Sequence, residues 1–382
     1  MRTLNRVVKT GALWLCLVLP SVFIVRKYFG WLGVGGFCLA TAWAVLALPH
    51  ARWRFNERQA VWLSMLTFAG LAVLFAIGYP IANTHIPGTG SDDDDAMNIA
   101  VVELLHGHNP YYARTYLGNL IHHFPGAFLL AAPFVLLGTS ALQNLFWLVL
   151  FFLVLRRETG NTFAALRWFW LTLIFSPIVV HQLVTGTGHV ANAIYVMLGL
   201  WWLVNAKQKA LPAAAWGVAL SSRANFLFLI PLAFGWLTQR NGWRTSARLL
   251  ILTSVVCALL TLPFYVHDPR GFAPLEAVDR LTRFEVVLPY AAWLICTGMV
   301  SLSFTLAWQP MQAPSILWRN CALVQAFPVI VGYLLGHDLV FLTYGSVFLC
   351  FGIFGAATEE ALPMTFNWSD GAAPSNPGRA RN

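Results

Sequence analysis

Residues 124 to 138 read Phe-Pro-Gly-Ala-Phe-Leu-Leu-Ala-Ala-Pro-Phe-Val-Leu-Leu-Gly, and whether this segment crosses a bilayer decides where the rest of the chain lies. It is apolar, but its fifteen residues fall short of the ~20 a helix needs to cross the hydrocarbon. Pro125, Pro133 and Gly138 mark its ends and interrupt it, so it reads as a shallow or re-entrant helix. If it stays on the outer side, with the N-terminus inside, 17 of the 24 Lys and Arg residues fall in inner segments, as the positive-inside bias asks. If it crossed, Arg156, Arg157 and Arg167 would face outward.

A membrane is required by the composition. The 382 residues are 58% hydrophobic and 10% charged, with a mean hydropathy of +0.65, 17 Trp and 28 Phe, whereas a soluble domain carries about a quarter charged residues. The net charge of +9 is scattered over short loops without a basic face, which excludes a nucleic-acid partner and points to membrane topology. The six Cys lie in apolar stretches without metal spacing and read as small buried hydrophobes. A basic start (Arg2, Arg6, Lys9) precedes an apolar core without a small-residue cleavage site, so the first helix is expected to be retained.

The fold expected is an all-α polytopic integral membrane protein of about twelve transmembrane helices, near 11–25, 28–49, 60–82, 140–155, 165–184, 190–204, 211–221, 224–238, 249–266, 287–307, 319–335 and 339–357. Three parts are expected. Residues 1–59 form a transmembrane hairpin, 60–357 the main membrane domain with an outer loop over 83–139, and 358–382, rich in Ala, Pro, Gly and Ser, a disordered cytosolic tail. Ten of fifteen acidic residues then face outward. Ionisable chemistry therefore concentrates on that face.

Four of those acids form one run, Asp92-Asp93-Asp94-Asp95, between the apolar stretch 60–82 and a segment in which Met97, Val101, Leu104 and Leu105 share one helical face, with Asn98 and Glu103 opposite. The run reads as the N-terminus of an in-plane juxtamembrane helix. Its plainer role is an N-cap with acids in the first turn. One or two Asp would suffice for that, and four adjacent carboxylates repel, so some should have a raised pKa or hold a cation. The sharper role is a general base, with Asp93, Asp94 or Asp95 preferred and Asp92 serving mainly as cap.

The order of motifs resembles the polyprenyl-phosphate-sugar-dependent glycosyltransferases of the GT-C superfamily, particularly the bacterial mannosyltransferase-like and arabinosyltransferase-like members. The resemblance covers roughly residues 60 to 240. It rests on the outer acidic run, on Gly107-His108-Asn109-Pro110-Tyr111, on Phe124-Pro125-Gly126 with Pro133, and on Ser176-Pro177. Thr187-Gly188-His189-Val190-Ala191-Asn192 and the stretch Gly217 to Phe226 with Ser221-Ser222-Arg223 complete it. Two features depart from the pattern: Phe-Pro-Gly stands for a tyrosine with paired prolines, and Arg223 for a lysine.

The resemblance implies an inverting transfer of a sugar from a polyprenyl-phosphate carrier to a lipid, glycan or protein acceptor at the outer face of a bacterial inner membrane, both termini being cytosolic. It implies Asp93, Asp94 or Asp95 as base, with Asp92, His123, His189, Asn192 and Arg223 as substrate-binding residues. Arg223 either clamps the donor phosphate, with roughly 6 to 12 Å to the carboxylates, or snorkels to headgroups. The motifs fix no cofactor. A divalent metal is an alternative reading, with Asp94, Asp95 and His106 as candidate ligands, against the plainer one of interfacial histidines anchoring the loop. The outer loop 267–286, with mixed charges, is either a solvated helix or part of an acceptor site. From other classes, a transporter or flippase would show ionisable residues or broken helices near the membrane midplane, and a noncatalytic envelope-assembly protein is the third reading.

Overall fold

The computed structural model describes residues 2–47, 55–86, 90–275 and 281–361, with side chains from residue 7 onward. The tail expected over 358–382 lies outside the described residues beyond 361, as do Glu276, Asp279 and Arg280 of the outer loop. The chain is all-helical, and no strand occurs among the described residues. In chain order the helices are α1 (Arg2–Val18), α2 (Val22–Ala47), α3 (Glu57–Ala82), α4 (Asp93–Leu105), α5 (Pro125–Leu136), α6 (Leu142–Thr159), α7 (Thr162–Ile174) and α8 (Ile178–Thr185). They continue as α9 (His189–Asn205), α10 (Ala210–Leu220), α11 (Ile230–Asn241), α12 (Trp243–His267), α13 (Ala291–Trp308), α14 (Pro314–Gly336), α15 (Val340–Thr343) and α16 (Ser346–Ala361).

Length and apolarity single out five candidate membrane spans among the described residues, or six if α7 and α8, bent by 76° at Phe175-Ser176-Pro177, count as one. Twelve crossings are not established. Of the segments expected to cross, α9 has 17 residues, α10 has 11, α11 has 12 and α16 has 16. At 1.5 Å per residue these fall short of a ~30 Å hydrocarbon layer. The run Val7–Ala47 folds back on itself, the Trp14 indole donating to the Cys38 carbonyl at 2.9 Å. In α2 the helix is interrupted at Gly30, whose φ of 65° only glycine adopts cheaply.

One end of the bundle collects basic and acidic side chains from many helices. There Lys9 and Arg319 pair with Glu359, Arg167 with Glu360, and Arg156 with Glu57. These basic residues are among those that the charge bias assigns to one side. At the other end, Tyr79 of α3 and Asn83, the residue that follows this helix, meet the acidic run.

That second end also holds α5, and both of its termini are tied there. The Phe124 amide donates to the Ser222 carbonyl (2.9 Å), while just past α5 Ser140 donates through its amide to Asn98 Oδ1 (2.7 Å) and through its hydroxyl to the Asp94 carbonyl (3.0 Å). With 12 residues, or ~18 Å, α5 is shorter than a ~30 Å hydrocarbon layer. Its close seat depends on Gly126, where a Cβ would stand 2.2 Å from the carbonyl oxygens of Val218 and Ser221.

The helix behind the acidic run forms over Asp93–Leu105, with Ala96, Met97, Ala100 and Val101 buried against Tyr111, Ile121, Phe124, Phe128 and Phe272. Met97 and Val101 occupy the expected face. Leu105 does not: it is 62% exposed at the last turn, because the buried stripe runs through Ala96 and Ala100.

Candidate functional site

Successive residues of a helix point ~100° apart, so the four aspartates cannot share one environment. Asp92 provides the first helical acceptor through its backbone, the Ala96 amide donating to its carbonyl at 2.9 Å. Its side chain caps nothing and instead accepts from Thr115 Oγ1 and Asn119 Nδ2, each at 2.7 Å. The expected capping carboxylate is therefore a brace for the 106–124 segment. Asp95 does similar work, accepting the Tyr116 amide at 2.9 Å.

Asp93 is the carboxylate that meets a cation. Its Oδ1 lies 2.7 Å from Arg223 Nη2 and 3.0 Å from His123 Nε2, while its Oδ2 accepts the Gly188 amide at 2.6 Å. Burial works against its charge, but the guanidinium of Arg223 and the neighbouring His123 outweigh it and hold the carboxyl well below its usual range. Arg223 Nη2 also lies 2.6 Å from His123 Nε2. A guanidinium only donates and a carboxylate only accepts, so Nε2 serves Arg223 as an acceptor or Asp93 as a donor, one at a time. Burial and then Arg223 lower the His123 pKa, which favours a neutral ring.

Asn192, fully buried, completes the group. With its oxygen toward Arg223 Nε (2.7 Å), its nitrogen donates to the Gly188 carbonyl and to Tyr195 Oη, each at 2.9 Å. Asp93, His123, Asn192 and Arg223, drawn from α4, the loop before α5, α9 and the turn after α10, thus form one hydrogen-bonded cluster. Arg223 keeps its Nη1 without a protein partner among the described residues. His189 stands at the first turn of α9, its ring packed beside Tyr344 with centroids 5.2 Å apart; the fold brings it near the cluster without a hydrogen bond into it.

The expected gap of several ångströms between Arg223 and the aspartates is absent, because the two close directly on each other. A donor phosphate must use the remaining donors of the guanidinium or displace Asp93. Likewise His123 does not present Nε2 to a ligand, since Arg223 and Asp93 both lie against it, and its Nδ1 is buried without a partner.

The proposed metal ligands do not fit one ion. Asp94 and Asp95 open α4 and His106 follows its last residue, so ~17 Å of helix separates them. Among the described residues no three His, Cys, Asp or Glu side chains are grouped to hold a metal. Asp94 instead turns toward α3, accepting at Oδ2 from Tyr79 Oη (2.5 Å) and Asn83 Nδ2 (2.6 Å). Burial raises its pKa to about 6, with the Tyr79 hydrogen bond opposing and the Asp93 charge adding to the rise.

Sequence reasoning missed Tyr79, Asn83, Tyr195 and Gly186. The signal for the first two was a Tyr and an Asn spaced i, i+4 at the end of an apolar helix directly before the acidic run. Comparison with protein-family models, with curated proteins and with solved structures finds no match to this chain.

Proposed function

We propose that this chain is an integral membrane glycosyltransferase of the GT-C type, moving a sugar from a polyprenyl-phosphate carrier to an acceptor at the outer face of a bacterial inner membrane. The observation that carries the reading is the partly exposed Asp93 carboxylate held ionised beside Arg223, with side-chain exposures of 14% and 21%, at the bundle end that bears the short helices α4 and α5. Transfer from a lipid phosphate needs these two functions side by side. The acceptor oxygen attacks the anomeric carbon, its proton passes to Asp93, and the bond to the phosphate oxygen breaks. The electron pair leaves with the lipid phosphate, whose charge Arg223 stabilises through its fork of donors. One displacement inverts the anomeric configuration.

Phosphate binding also activates the base in this scheme. In the free protein Arg223 depresses the basicity of Asp93, and a phosphate that shares the guanidinium weakens that hold. The test is incubation of purified protein with a panel of polyprenyl-phosphate sugars, reading release of the lipid phosphate. Turnover by the wild type and none after simultaneous replacement of Asp92, Asp93, Asp94 and Asp95 by Asn supports the reading. Turnover that survives the replacement removes the acidic run from the mechanism.

A further inference from the structure

Asp94 adjoins the proposed base in sequence yet faces away from Arg223. It is 2% exposed, and its contacts come from three other parts of the fold. Its Oδ2 accepts from Tyr79 in the last turn of α3 and from Asn83 just after it, and Tyr79 Oη also lies 3.0 Å from Thr139 Oγ1 between α5 and α6. The Asp94 carbonyl accepts the Ser140 hydroxyl from the same turn. On the remaining side stands Gly186, in the turn between α8 and α9, where a Cβ would lie 2.7 Å from the Asp94 carboxyl carbon.

We propose that Asp94 is a positioning residue, a strut that fastens the start of α4 to the end of α3 and to the α8–α9 turn and so fixes where the Asp93 carboxylate meets Arg223. The functional half of this statement rests on Asp93 being the base. Two residues later in that glycine-bearing turn, the Gly188 amide holds Asp93 Oδ2, so the turn that seats one carboxyl also orients the other. Because adjacent helical side chains keep a fixed angle of ~100°, locking residue 94 locks the direction of residue 93.

The strut needs an acceptor rather than a charge. Both donors converge on Oδ2, while Oδ1 is buried and has no hydrogen-bond partner. An asparagine keeps an oxygen for Tyr79 and Asn83, whereas an alanine removes the acceptor they share and leaves them only each other and Thr139. A base or a metal ligand would not tolerate the amide. That difference separates the roles.

The test uses the purified full chain with Asp94→Asn, Asp94→Ala, Tyr79→Phe and Asp93→Asn, reading hydrogen exchange over residues 92–100 beside turnover of a polyprenyl-phosphate sugar. Asp94→Asn is expected to keep wild-type exchange and lose only about three-fold in kcat, while Asp94→Ala exchanges faster and loses about ten-fold or more in kcat with KM little changed. Tyr79→Phe lies between them, and Asp93→Asn loses turnover without faster exchange at the buried face of α4. Wild-type exchange in Asp94→Ala overturns the strut, and so does an Asp94→Asn loss as deep as that of Asp93→Asn with exchange unchanged. If the wild type turns over no such donor, the transferase reading fails, and the exchange comparison still decides the strut.

Discussion

Arg223 reaches Asp93 across 130 residues of chain, its Nη2 standing 2.7 Å from Oδ1. Both side chains are mostly withdrawn from solvent, where an unpaired charge is costly. The pair therefore joins α4 to the turn after α10 as well as preparing a cation beside a carboxylate. Arg223→Ala is expected to destabilise the detergent-solubilised protein by roughly 2 to 3 kcal/mol, below the range for a fully enclosed pair, with Asp93→Asn partly restoring it in the double variant. A thermal or denaturant melt of the four proteins measures the coupling. Additive losses would mean that the pair contributes nothing.

In turnover, Arg223→Lys should keep part of the activity because a positive charge persists, while Arg223→Gln should lose more, on the order of 2 to 4 kcal/mol in transition-state stabilisation. Equal rates for wild type, Lys and Gln would reduce Arg223 to a structural or snorkelling residue.

Asp94 makes stability depend on pH in an unusual direction for a carboxyl. Its pKa is raised from 3.8 to about 6 in the folded protein, so folding favours the protonated form. The stabilisation is fully present below pH ~4 and is lost as pH rises through 6. The distance between the folded and unfolded values makes the change on the order of 3 kcal/mol. Melting temperature followed from pH 4 to 7.5 should show the wild type falling relative to Asp94→Asn. Parallel curves would remove the burial of a titrating carboxyl at this position.

Gly186 and Gly160 both have positive φ, 74° and 65°, but only Gly186 is crowded, since a Cβ at Gly160 meets nothing within 4 Å. Alanine at 160 should cost about 1 kcal/mol for the left-handed backbone, and alanine at 186 about 2 to 3 kcal/mol because it also presses on Asp94. The difference between the two melts carries the prediction, and equal losses would contradict the close seat of Asp94.

Sidedness can be read with an impermeant thiol reagent in cells, after Cys38 and Cys296, the two partly exposed native cysteines, are replaced by Ala. Leu117→Cys, before α5, should react from outside, and Lys207→Cys, between α9 and α10, should be protected. The reverse pattern would turn the molecule over and place Asp93 on the cytosolic side.

Hydropathy located the long helices well, because a continuous apolar run has few alternatives: residues 60–82 became Glu57–Ala82, and 319–335 became Pro314–Gly336. The short helix α5 was legible from Pro125 and from its length, and α4 from its apolar spacing. The breaks were harder. The interruption at Gly30, the 76° bend before α8 and the 3-10 turn at Ala224–Leu229 lie within apolar sequence that reads as unbroken. Which aspartate would face Arg223 was not legible either. One residue of helix rotation separates the candidates, and the partners that decide between them, Tyr79, Gly186, Gly188 and Asn192, come from elements far apart in sequence.

The most direct test of the account is the rate and stereochemistry of sugar transfer from a polyprenyl-phosphate donor by wild type, Asp92→Asn, Asp93→Asn and Asp95→Asn under single-turnover conditions. With Asp93 as base, the product has inverted configuration and Asp93→Asn slows transfer by about 100-fold or more, whereas Asp92→Asn and Asp95→Asn, which remove only loop braces, slow it by less than about 10-fold. Transfer by Asp93→Asn at the wild-type rate, or a product with retained configuration, would contradict the assignment of Asp93 as the base.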